Sequence, residues 1–301
     1  MRRRRADRAK TKFLDRIPLS QSRQKRKAGK HPLSMFVYRV IFRACDAVNS
    51  LHGAKRPFGL NKTTLAKLCF LSLYDAIKPF PHEIFVLGDK LSDDLQAFFK
   101  RFPVALSNGV YGNDESIRQS IRLAQGYPES DWIYFCEDDY LHQPFAFEYI
   151  SDLILNREQI LKRKARRFYL APVTTDTSQL PLFISPVDDP VRYKPEWRFQ
   201  SFLFLSRRCH WRQTSHTTYT FLAEGKTIRR FANAMMRSAK GAKDGLMSRK
   251  MYGRLTFRNK GLCVSPIPSL ATHMQESEMS PLVDWARLCE RYKTELENLE
   301  R

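Results

Sequence analysis

The sequence has no uninterrupted apolar run near the roughly 20 residues that span a bilayer, and no apolar stretch follows the arginines at its start. A membrane-spanning helix and a secretory signal are therefore not expected. Cys-x-x-Cys is also absent. The six cysteines, Cys45, Cys69, Cys136, Cys209, Cys263 and Cys289, are widely spaced and mostly sit in apolar segments. They read as core thiols of a reducing, cytoplasmic compartment rather than as a zinc site. Acids are scarce: 31 Asp and Glu stand against 52 Lys and Arg, a formal charge of +21 over 301 residues.

That charge is uneven. Residues 1–32 hold 13 Lys or Arg and only two acids, Asp7 and Asp15, with little apolar content to fold around. The segment reads as a disordered basic arm, drawn by charge to an anionic membrane surface. A start at Met35 would instead leave it out of the protein, and a nucleic-acid arm is the third reading. The whole chain has the ordinary 43% apolar fraction of a globular protein, and residues 33–301 are expected to form one domain.

Within that domain, Trp132-Ile133-Tyr134-Phe135-Cys136 is β-prone and has no polar face, so it reads as a strand buried on both sides of a mainly parallel sheet. It stops at Glu137-Asp138-Asp139. Open α/β sheets bind ligands beyond the carboxyl ends of their strands. Three adjacent carboxylates at such a lip repel one another unless a cation or bonded donors offset them, and a hard divalent ion with phosphate oxygens is the simplest offset. A solvated acidic turn is the plainer alternative.

The segments before it have the order of a βαβ unit. Met35 to Asp46 reads as a first strand carrying Arg39 and Arg43, which face either a nucleotide's phosphates or acids on the sheet edge. Residues 61–77 form a helix opened by Asn-Lys-Thr-Thr, and Glu83 to Asp89 a second strand. A third short strand at 103–106 leads through Gly112-Asn113 into a helix over 114–126, whose first turn offers free N–H groups to an anion.

This order of parts resembles the donor half of the GT-A glycosyltransferases, family 2-like enzymes with an acidic DXD motif. The resemblance covers roughly residues 35–150 well and the rest more loosely. It implies a three-layer α/β/α sandwich, with residues 33–150 as the nucleotide-sugar half and 151–301 as the acceptor half. It implies Asp139 as the principal ligand of Mn²⁺ or Mg²⁺, with Asp138 acting through the ribose or the metal's waters. Arg39, Arg43 and Asp89 would lie around a nucleotide, UDP by family habit, with Asn113 near the diphosphate. The transferred group would be a hexosyl or N-acetylhexosaminyl unit, and the acceptor a glycan, a lipid-linked sugar or a protein.

In the second half a helix is expected over 145–164, strands at 168–173, 182–186 and 199–205, and a closing helix over 282–299. Residues 209–221, with Trp211, Arg212 and several threonines, read either as a surface that stacks on a sugar or as a strand with solvated threonines. An inverting transferase needs a carboxylate to deprotonate the acceptor hydroxyl. Asp244, opening a helix, resembles that base, with Asp188, Asp189 and Glu224 as rivals and a plain helix cap as the alternative. His273 resembles the late histidine that such enzymes recruit to their metal. Two other functions fit the same residues: a two-metal nuclease or phosphotransferase built on the three acids, and a non-catalytic module docking through its charge. No sequence-specific nucleic-acid partner is expected.

Overall fold

Alternation of side chains places the first strand. In β1, Tyr38–Ala44, residues Tyr38, Val40 and Phe42 pack on one face of the sheet and Ile41 on the other, and all are buried. A strand covered on both faces belongs inside an α/β sheet. The computed structural model describes residues 36–46, 55–162, 177–194, 201–241, 243–252 and 260–301. The chain divides into two units, Met1–Pro32 and Leu33–Arg301, and every described residue belongs to the second. The basic arm and the strand expected at 168–173 lie outside the described residues.

After β1 come α1 (Lys62–Ile77), β2 (His82–Asp89), α2 (Asp93–Phe99), β3 (Val104–Gly109), α3 (Gly112–Gly126) and β4 (Trp132–Glu137). Helix α1 begins at the Asn-Lys-Thr-Thr element because the Asn61 side chain accepts the Thr64 N–H, satisfying one of the donors a helix start leaves open. The chain continues through β5 (Tyr140–His142), α4 (Ala146–Leu155), α5 (Arg157–Leu161), β6 (Leu182–Ile184), β7 (Leu203–Phe204), β8 (His210–Thr214) and β9 (Phe221–Glu224). It closes with α6 (Gly225–Ser238), α7 (Asp244–Tyr252), β10 (Leu262–Ile267), β11 (Ala271–His273) and α8 (Trp285–Glu300).

Two expected elements are broken. The helix expected over 145–164 is split at Asn156, whose side-chain amide donates to the Asp152 carbonyl and carboxylate and so ends α4. The stretch 209–221 is two strands joined by a loop, in which Thr217 and Thr220 turn inward and are buried.

The main sheet has the order β3-β2-β1-β4-β9-β6-β10-β8-β7. Strands β3, β2, β1, β4, β6, β10 and β7 run one way, and only β9 and β8 run against them. The sheet is therefore mainly parallel, as expected. Helices α1, α2, α4 and α8 contribute to the apolar cluster on one face, and α3, α6 and α7 to the cluster on the other, which gives the three-layer α/β/α sandwich. Cys69, Cys136, Cys209, Cys263 and Cys289 are buried free thiols. No helix among the described residues is long and apolar enough to cross a membrane.

Beyond β4 the chain turns at Asp138 and Asp139 into β5, which pairs antiparallel with β11 in the register Tyr140↔His273. This small second sheet carries His273 across 134 residues of sequence to the acids.

Candidate active site

The parallel strands β1, β2 and β4 end together around a cavity of about 450 Å³. Its wall includes Arg43 and Cys45 from the end of β1, Asp89 from β2, Gly112 and Asn113 from the start of α3, and the three acids at the end of β4. Asp244, Thr218, Tyr219 and His273 close it from the second half of the chain. Seven of the eight residues singled out in the sequence, all but Arg39, thus line one cavity.

Each acid of the triplet has its own cation. Arg43 donates to Glu137 at 2.5 Å, and its other amino nitrogen reaches Ser116 Oγ at 2.9 Å and the Asn113 side-chain oxygen at 3.4 Å. Asp138 accepts from Lys62 Nζ at 2.5 Å and from the Cys45 N–H at 2.8 Å. Asp139 Oδ2 lies 3.1 Å from both Arg56 Nη1 and His273 Nε2. Burial pushes the Asp139 carboxyl up, but His273, Lys62 and Arg56 outweigh it and hold the group well below the usual range. Burial opposes a charge on His273, and Asp139 outweighs it in turn, raising the imidazole above its ordinary value. The imidazole is stacked on Tyr140, with ring centroids 4.9 Å apart, and the Gln275 amide lies 2.9 Å from its Nε2.

Asp244 differs from all of these. It is the first residue of α7, and among the described residues its buried Oδ1 has no hydrogen-bond partner. Burial pushes its carboxyl up to about 7, the Glu137 charge adds to the rise, and Arg43 offsets part of it. A carboxylate that titrates near neutrality and has an uncommitted oxygen in a cavity wall is suited to accept a proton.

Two expectations change in detail. Asp89 reaches the cavity, but its two oxygens accept the N–H groups of Tyr111 at 2.7 Å and Gly112 at 2.9 Å. It therefore fixes the turn into α3 and occupies part of the helix start that sequence offered to an anion. Gly112 has φ +72°, where a side chain would be strained, which accounts for glycine at that turn. Arg39 is not at the cavity. It pairs with Asp131 at 2.7 Å and with Glu83, near the opposite end of β1. Four residues of strand separate Arg39 from Arg43, about 13 Å, so only the latter reaches the carboxyl ends where the cavity lies.

No family model matches the chain, and no curated protein matches it. Solved structures do. A nucleotidyl transferase from Methanothermobacter thermautotroptrophicus is 10% identical, covers 86% of this chain and 98% of its own, and superposes with a TM-score of 0.45. The galactosyltransferase LgtC, in complex with donor and acceptor sugar analogues, is 10% identical over 85% of this chain and 94% of its own, with a TM-score of 0.40. TarS of S. aureus is 11% identical over 76% of this chain and 35% of its own, with a TM-score of 0.39. With TM-scores of 0.45 or less, these likenesses leave the reaction to be argued from the site itself.

The sequence reading missed Arg56 and Lys62. A signal for Lys62 was present: a cation at the first position of a helix opposes the helix dipole, and here Asp138 offsets it. The sugar-stacking reading of residues 209–221 is corrected. Trp211 is fully buried, because β8 pairs with β10 inside the sheet, and Arg212 is paired with buried Asp188 at 3.2 Å. Only Thr218 and Tyr219 of that stretch line the cavity. The rival carboxylates are also committed elsewhere: Asp188 accepts from the Tyr193 hydroxyl, Asp189 caps Val191, and Glu224 pairs with Lys226.

Proposed function

We propose that this cavity transfers a glycosyl group from a nucleotide-sugar donor, a UDP-sugar in the first instance, to an acceptor hydroxyl in a single inverting displacement. The observation that carries the reading is Asp244, whose Oδ1 is buried without a partner among the described residues and whose carboxyl is pushed up to about 7, in the wall that also contains the acid-ended strand β4. The acceptor oxygen attacks the anomeric carbon as Asp244 takes its proton. The bond from that carbon to the diphosphate breaks, and the nucleoside diphosphate leaves with the electron pair.

A divalent cation, Mn²⁺ or Mg²⁺, fits the donor set. Asp139 Oδ2 and His273 Nε2 stand 3.1 Å apart, close to the roughly 3 Å between adjacent ligands of an octahedral ion with bonds of about 2.1 Å. Among the described residues no third His, Cys, Asp or Glu joins them, so donor oxygens and water would supply the remaining ligands. The charges of the wall point the same way. Four cations, Arg43, Arg56, Lys62 and Lys90, face four carboxylates, Asp89, Glu137, Asp138 and Asp139, while Asp244 is raised to about 7 and His273 is drawn toward its charged form by Asp139. A wall so balanced has no surplus positive charge for a diphosphate, and a bound divalent ion would supply it by neutralising the leaving oxygens.

The chain's own groups do the rest. Asp138, held by Lys62 and the Cys45 N–H, offers a fixed acceptor for ribose hydroxyls. Arg43 and Asn113 set the floor beneath the diphosphate, and Thr218 and Tyr219 border the acceptor side. The nuclease reading needs carboxylates that bridge two ions, whereas Glu137 and Asp138 are tied to Arg43 and Lys62, which weighs against it. On this reading the acceptor is a glycan, a lipid-linked sugar or a protein hydroxyl, and the reaction runs in the cytoplasm.

The test is a panel of nucleotide sugars assayed with Mn²⁺ on wild type, Asp139→Asn and Asp244→Asn. One donor should be turned over by wild type. Asp139→Asn should lose affinity for it, and Asp244→Asn should bind it normally but turn it over slowly. Turnover of no donor, with Mn²⁺-dependent cleavage of nucleic acid instead, would overturn the reading.

A further inference from the structure

Helix α6 and the start of α7 carry a charge pattern that the cavity does not use. Residues 225–252 contain eight Lys or Arg and a single acid, Asp244, which belongs to the cavity. In α6 and the turn that follows it, Lys226, Arg229, Arg230, Asn233, Arg237 and Lys240 are the exposed positions. They recur at helical spacing and form one stripe, about 21 Å from end to end at 1.5 Å per residue. The opposite side of the helix, with Ile228, Phe231, Ala232 and Met235, is buried in the core.

Two of the cations are answered: Lys226 pairs with Glu224, and Arg229 with Glu129. Among the described residues no carboxylate pairs with Arg230, Arg237, Lys240, Lys243, Arg249 or Lys250. The acids on the neighbouring helix α3 are already engaged. Asp114 accepts the Gly241 N–H at 3.0 Å, and Glu115 is paired with Arg118 and Arg122. Like charges stacked along a helix face repel, so the stripe costs stability until an external polyanion offsets it.

The stripe also has a direction. The carboxyl end of α6 abuts the cavity wall, where the hydroxyl of cavity-lining Tyr219 bonds to the Met235 carbonyl and Ser238 Oγ. The α6–α7 turn is tied to the start of α3, and the loop entering α3 presents Val110, a large apolar side chain 78% exposed. Lys90, on the cavity rim, donates its N–H to Gly109 beside it. The exposed positions of α6 include no aromatic residue on which a base could stack. A long, straight row of cations without an aromatic among them suits a flat anionic surface better than single-stranded nucleic acid.

We propose that the basic face of α6 and α7 docks this protein on an anionic bilayer, with the cavity mouth toward the lipid. Docking is driven by headgroup charge, adds up cation by cation, and is screened by salt within a Debye length. It stands apart from the transferase reading, because vesicle binding needs no donor, metal or turnover.

The experiment is co-sedimentation of the full chain with phosphatidylcholine vesicles, with and without phosphatidylglycerol. Wild type is compared with Arg230→Glu/Arg237→Glu/Lys240→Glu and with a variant in which Arg2 to Arg5 are serine. All substituted positions in the triple variant are exposed, and a melting temperature no lower than that of wild type confirms its fold. Wild type should bind only the anionic vesicles and be released by salt. The triple variant should bind about a hundredfold more weakly or worse, and the tail variant should retain most of the binding. If the triple variant sediments as wild type does, the face is not the docking surface. If wild type ignores both vesicles but binds RNA through the same three residues, the partner is nucleic acid and the bilayer proposal fails.

Discussion

The cavity and the α6–α7 face are both rich in charge, and they treat it in opposite ways. In the cavity Arg43, Lys62 and Arg56 each meet a carboxylate within 3.1 Å, so the wall is close to neutral despite its many ions. On the helical face six cations meet none among the described residues. A total charge of +21 therefore says little about the site where chemistry is proposed. Charge held in tight buried pairs shapes a site and tunes its acids, while unpaired charge on a surface attracts partners over a distance. The exception within the cavity is Asp244, whose buried oxygen meets neither a cation, as the three acids of β4 do, nor a backbone N–H, as Asp89 does, among the described residues.

That exception gives the largest expected effect. Asp244→Asn should lower the transfer rate by about 10²- to 10⁴-fold, the usual worth of a general base, while donor affinity measured by calorimetry stays within about twofold. Next in size is the loss of a cavity cation. Lys62 and Asp138 are both largely buried, so Lys62→Met leaves an unanswered carboxylate and should destabilise the fold by about 3–5 kcal/mol. Lys62→Met combined with Asp138→Leu should recover most of that loss in a denaturant titration, because no buried charge is then left alone.

Asp244 also makes a stability prediction of the opposite sign. Its folded-state value of about 7 lies above the ordinary aspartate value of about 4. The folded protein therefore holds this proton more tightly than the unfolded chain does. Its contribution is fully present below about pH 4 and is lost as pH rises toward 7. Asp244→Asn should consequently melt higher than wild type, by an amount that grows from pH 4 to pH 7 and is constant above, although it is the slower enzyme. A cap whose loss only destabilises would give the reverse. The smallest effect is expected at Arg39. Arg39→Met should leave donor binding and turnover unchanged and cost about 1–3 kcal/mol of stability, since its partners Asp131 and Glu83 lie away from the cavity.

How much of this was legible in the sequence follows from how local each signal is. The strand Trp132–Glu137 announced itself because a run without a polar face can only be buried on both sides, and its abrupt acids marked the carboxyl end. Asp244 was visible as the acid that opens a helix. Arg39 and Arg43 looked equivalent because alternation places both on the same side of β1, and only the direction of the strand separates them. Arg56 and Lys62 converge on Asp139 and Asp138 across 83 and 76 residues, so no local pattern could pair them. Trp211 misled for a related reason. An aromatic residue among threonines and arginines resembles a wet surface until Asp188, 24 positions earlier, is found to neutralise Arg212. Helix α2 was missed because its seven residues are too short for a helical period to show, although Ser92 caps it.

The most direct test is the pH dependence of single-turnover transfer with saturating donor, compared between wild type and Asp244→Asn. The account predicts a wild-type rate that rises through a pKa near 7, and a variant that is slow and flat over the same range with unchanged donor affinity. A variant with the wild-type rate and the same rise near pH 7 would contradict it, and would move the proton acceptor to another group in the wall.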